Sequence, residues 1–120
     1  MILDVHDQWS WVVVVGNGLA GTWCLAAHWT PALRVRAMWA AVIVVQVSIF
    51  VQVALGVYMV AVQDIPAPGI HMFYGFISLV AVGILYAYRV QMRAQMYLLY
   101  GFGGLFLMGL GIRAMLVGQS

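Results

Sequence analysis

Four long stretches without a formal charge organise this chain, lying between Asp7 and Arg34, Arg36 and Asp64, Asp64 and Arg89, and Arg93 and Arg113. Each is long enough to hold a helix of roughly 20 residues, the length that crosses the hydrocarbon core of a bilayer. Hydrophobic residues make up 66% of the 120 positions and charged residues 7%, against about half and about a quarter in an ordinary soluble domain. Water-soluble folds cannot hide that much apolar surface. The reading is therefore an all-α integral membrane four-helix bundle, one domain over residues 1–120. Its helices are predicted at about Trp9 to Trp29, Met38 to Val62, Ile70 to Tyr88 and Gln95 to Val117.

The few charges orient the bundle. Arg34 and Arg36 fall between the first and second stretches and Arg89 and Arg93 between the third and fourth, while Asp64 and two prolines, Pro66 and Pro68, lie between the second and third. The positive-inside rule puts the arginine loops in the cytoplasm and both termini on the outer side. Trp9 and Trp11 then mark the outer edge, and Trp29, Trp39, Tyr88 and Tyr97 gather near the inner one. The expected location is the bacterial plasma membrane, as a multi-pass protein. The amino terminus carries Asp4 and Asp7 and no basic residue, unlike a secretory signal, so the first span is expected to stay in the mature protein. Cys24 is the only cysteine, which excludes intrachain disulfides and cysteine-cluster metal sites. Five arginines beside spans determine topology, and nucleic acid is not an expected partner.

Helices in lipid associate through small and polar residues, because lipid tails compete equally for apolar side chains. Reading each stretch at 100° per residue gives one such stripe per helix. Helix one, if it begins as early as His6, offers His6, Ser10, Asn17, Gly21, Cys24 and His28; helix two offers Ser48, Gln52, Gly56 and Gln63. Helix three offers His71, Gly75, Ser78, Val82 and Arg89, and helix four Gly104, Met108, Gly111 and Met115. Asn17, Gly21, Gln52, Gly56, Gly75, Ser78, Gly104 and Gly111 are the predicted packing positions.

His6 and His71 open helices one and three, which run in the same direction, so both rings are expected at one depth near the outer surface. Two imidazoles at one level on neighbouring helices meet the need of a b-type heme for one axial ligand on each face. His28 sits at the opposite end. Gln52, Leu55 and Gly56 in VQVALGVYMV, then Pro66, then His71 and Gly75 in HMFYGF, resemble one half of the heme A synthase family, with His6 where such a half places its partner histidine. The resemblance covers about 70 residues and implies a heme site. Only one half is present, no glutamate matches the family's catalytic motif, and Asp7 follows His6 where an arginine would stand, so oxidation of a heme methyl group is not implied. Were a heme bound, Arg113 is the predicted partner of its propionates. In overall type the chain also resembles small four-helix membrane proteins of actinobacteria.

The first functional expectation is an accessory or assembly subunit of a larger membrane complex, respiratory or otherwise redox-active, with no cofactor and no catalysis of its own. Its partners would be the bilayer and other membrane subunits or a second copy. The alternatives are a bis-histidine b-heme or quinone-facing electron-transfer protein, and a small dimeric transporter or channel. Proton-coupled transport needs an ionisable group within the membrane, and no Asp, Glu or Lys lies inside a predicted span.

Overall fold

The computed structural model describes residues 2–118 and is all-α. Helix α1 spans Ile2–Trp29, α2 Arg36–Ala61, α3 Gly69–Tyr88 and α4 Met96–Gly118, with short 3-10 turns at Pro31–Leu33 and Arg93–Gln95. All four helices are long and apolar enough to cross a membrane, consistent with a multi-pass membrane protein. They form a bundle 48 Å long in which α1 packs on α2 and α4, and α4 on α3. Helices α2 and α3 meet only lightly.

The helix ends follow local chemistry. Pro31 stops α1, and the Thr30 amide closes the last turn on Ala26 O. After α2, Asp64 takes the left-handed conformation (φ 54°), a geometry Asp tolerates better than most residues. Pro66 and Pro68 then hold the chain extended until α3 begins. Helix α1 differs from expectation, since it starts at Ile2 and not near Trp9. Nothing in LDVHDQW breaks a helix, and Asp4 in the first turn favours the positive end of the helix dipole. The hydrocarbon thickness limits the apolar stretch, not the helix, so His6 lies in regular helical geometry.

Glycine sets the closest helix crossing. A Cβ on Gly21 would lie 2.8 Å from Gly101 O and 2.9 Å from Leu105 N, and one on Gly104 would lie 2.9 Å from Gly21 Cα. Here α1 and α4 touch backbone to backbone, which maximises van der Waals contact where burial from water is not the driving force. Around this crossing Asn17, Cys24, Met38 and Leu107 are almost completely buried. Asn17 donates through Nδ2 to Val13 O at 2.8 Å.

The antiparallel order brings the four loop arginines to one end of the bundle and His6, Asp64 and His71 to the other. At the arginine end Arg34 donates from Nε to Ala27 O and from Nη2 to His28 O, each at 2.8 Å, and so satisfies carbonyls at the C-terminus of α1. Its guanidinium stacks 4.7 Å from the Tyr97 ring centre, and Trp39 packs 5.5 Å from both Tyr97 and Tyr100. His28 stacks edge-on against Trp29 at this same end.

Candidate functional site

The opposite end is built around the two histidines. The first turns of α1 are pinned to α2 by two long-range hydrogen bonds: Trp9 Nε1 donates to Ser48 O, and Gln52 Nε2 donates to His6 O, both at 2.8 Å. The His6 ring rests over Gly56, where a Cβ would stand 3.3 Å from Nε2. His71 lies in the first turn of α3 and reaches across to α4, its Nδ1 2.7 Å from Ala114 O. A carbonyl only accepts, so the bond requires a proton on Nδ1 and leaves the lone pair on Nε2. That ring occupies space which a Cβ on Gly118 would fill, 2.7 Å from Nδ1. The two ring centres are 6.0 Å apart, with their planes inclined by 61°.

Beside the pair lies a cavity of about 560 Å³ lined by all four helices and by Ile65, Pro66, Ala67 and Pro68. This is within the range of roughly 300–1,000 Å³ found for small-molecule and cofactor sites. Its polar lining includes His6, Asp7, Ser10, Gln52, His71 and Ser78, against walls such as Val53, Phe76 and Leu79. Gln52 Oε1 is buried without a hydrogen-bond partner, as is Asn17 Oδ1. A buried unpaired acceptor costs about 1–3 kcal/mol, a penalty that a ligand donor near Gln52 would relieve.

Of the predicted site residues, His6 and His71 are brought together, and Gln52, Gly56, Gly75, Ser78 and Gly111 share their cavity. Asn17, Gly21 and Gly104 belong to the helix crossing and not to the cavity. Arg113 is exposed and does not line the cavity, because residues 111, 114, 115 and 118 form the inward face of α4 there. Gln63 lies past the end of α2 and is exposed. Pro66 also lines the cavity, whereas Leu55 belongs to a shallow groove elsewhere on α2. Ala114 and Gly118 were not among the predicted residues. Their part is a backbone carbonyl and an absent side chain, neither of which leaves a mark on polarity or spacing.

Among the described residues no three His, Cys, Asp or Glu side chains group to hold a metal ion. Two imidazoles alone are too few for a bare transition-metal ion. They suffice for an iron whose other four ligands come from a macrocycle. Comparison with protein-family models, curated proteins and solved structures gives no match.

Proposed function

We propose that this chain is a small membrane subunit that holds a b-type heme between His6 and His71 and serves electron transfer within a larger redox complex. The observation that carries the reading is the 6.0 Å separation of the two ring centres beside a cavity of cofactor size. With metal–nitrogen bonds of about 2 Å on either side, axial imidazoles have their ring centres roughly 6 Å apart. The hydrogen bond from His71 Nδ1 to Ala114 O is the outer contact that ligand histidines ordinarily make, and it leaves Nε2 as the nitrogen that would hold the iron. Gly56 and Gly118 leave room for the two rings, and Val53, Phe76 and Leu79 supply apolar walls.

A heme held by His6 and His71 would supply one-electron chemistry. The residues of the chain orient the imidazoles and exclude water. With Arg113 off the cavity, solvent at the histidine end is the expected environment of the propionates. The grouping of Arg34, Arg36, Arg89 and Arg93 supports an orientation with the histidine end facing outward from a bacterial plasma membrane.

The test is a reduced-minus-oxidised visible spectrum of protein purified in mild detergent, beside His6→Ala and His71→Ala. A sharp b-type band in the parent, lost in both variants, is expected. An unliganded parent, after expression with ample heme, would remove the cofactor and leave a structural subunit whose partners are sought among co-purifying proteins.

A further inference from the structure

The cavity has four helix–helix seams around it, and they are not equally closed. A Cβ on Gly16 would stand 2.8 Å from Val45 Cγ1, sealing α1 to α2. The α1–α4 seam is sealed at Gly111, 3.0 Å from Val14 Cγ2, and below it at the Gly21–Gly104 crossing. The α3–α4 seam is sealed at Gly103, 2.5 Å from Leu85 Cδ2, and at the His71 ring over Gly118. Between α2 and α3 the corresponding approach is looser, since a Cβ on Gly75 would stand 3.8 Å from Val53 Cγ2, an ordinary contact.

The lips of that loose seam are apolar. Val57 and Val60 of α2 and Met72 and Phe76 of α3 line the cavity yet remain exposed, Val57 at 60% and Phe76 at 63%. Exposed apolar side chains on a membrane helix face acyl chains, so this opening faces lipid. At the bundle end the segment 65–68 contributes to the lining of the cavity.

We propose that the ligand of the His6–His71 site reaches it from within the bilayer, by parting α2 from α3 along the Val57–Phe76 seam, and hence that it is a membrane-dissolved amphiphile. The proposal rests on the heme reading above and adds to it the route and the physical state of the ligand. Parting these helices breaks few side-chain contacts and no backbone hydrogen bonds, whereas opening any other seam disrupts a close glycine contact.

The experiment is a reversible cross-link across the seam. In a Cys24→Ala background, Val53→Cys with Gly75→Cys sets one thiol on each side of the seam, at the pair where a Cβ on Gly75 would stand 3.8 Å from Val53 Cγ2. Val14→Cys with Gly111→Cys is the control, tying a seam that is already tight. Apoprotein in phosphatidylcholine vesicles is mixed with hemin-loaded vesicles, and uptake is followed by absorbance. The reduced form of each double variant is the reference for its own oxidised form. Oxidation of the Val53/Gly75 variant before mixing should slow uptake on the order of tenfold or more, oxidation after loading should retain the heme, and the oxidised control should load at the rate of its own reduced form. Loading by cross-linked protein at the rate of its own reduced form would overturn the bilayer route while leaving the heme site intact. So would loss of heme on oxidation after loading, or failure of the pair to cross-link, since either contradicts the placement of the seam. A parent that takes up no hemin at all would overturn the heme reading itself, and the route with it.

Discussion

The two ends of the bundle use the same kinds of residue to opposite effect. At the arginine end, aromatic rings and a guanidinium fill the space between helices, with Arg34 satisfying the carbonyls of Ala27 and His28 while stacking on Tyr97. At the histidine end, glycines 56 and 118 leave space that imidazoles enter from neighbouring helices, and a cavity remains beside them. One end is filled by side chains and the other keeps a cavity. The difference shows that small residues in a membrane bundle have two uses, close backbone contact and room for a ring, which the residue type alone does not separate.

The hardest break of this contrast is at the helix crossing. Gly21→Val drives a branched side chain into Gly101 O and Leu105 N, and because backbone cannot swing aside as a side chain can, a loss of about 3 kcal/mol or more is expected. Unfolding by sodium dodecyl sulfate, followed by tryptophan fluorescence, measures it. Full stability in this variant would mean that the two helices do not meet at Gly21.

A sharper separation comes from the histidine pair. On the heme reading, His71→Ala is expected to abolish heme absorbance while shifting unfolding by only about 1 kcal/mol, the net value of its hydrogen bond to Ala114 O. A large stability loss with heme retained would make His71 a strut of the fold.

Next in size is a comparison of arginines. Arg34→Ala removes two carbonyl contacts and a ring contact and should cost about 1–2 kcal/mol in the same titration. Arg113→Ala, on an exposed face, should stay within about 0.5 kcal/mol and leave any heme band unchanged. Loss of that band would instead restore Arg113 as a propionate partner.

The smallest effect is expected on an exposed face of α3. Gly83→Ala meets nothing within 4 Å and should raise stability by about 0.5–1 kcal/mol through helix propensity. Destabilisation would mean that something, such as a partner helix, covers this part of α3.

Much of the architecture was legible in the chain because a bilayer leaves few choices. Charge-free stretches of about 20 residues have to be helices when no water is present to satisfy the backbone, and the observed α2, α3 and α4 begin and end within two residues of the expected positions. The start of α1 was less legible, since hydropathy reports the apolar part of a helix and α1 continues beyond it to Ile2. In the site, periodicity placed His6, Gln52, Gly56, His71 and Gly75 on inward faces, and all five line the cavity. It could not tell that Gly21 meets α4 while Gly56 meets an imidazole, because both read as small residues on a stripe. Arg113 was assigned by depth alone, and depth does not fix the face of the helix.

The sequence by itself determined that there are four helices, where three of them begin and end, and which end gathers the loop arginines and which His6 and His71, because hydropathy and charge act locally along each helix. Only the tertiary structure decided which helices touch. It seated His71 on Ala114 O, brought the two imidazoles to 6.0 Å, and left α2 and α3 apart beside them. Those outcomes depend on how the helices rotate and tilt against one another, and in a membrane that is set by the fit of small residues between helices, a property of pairs that no single stretch of sequence contains.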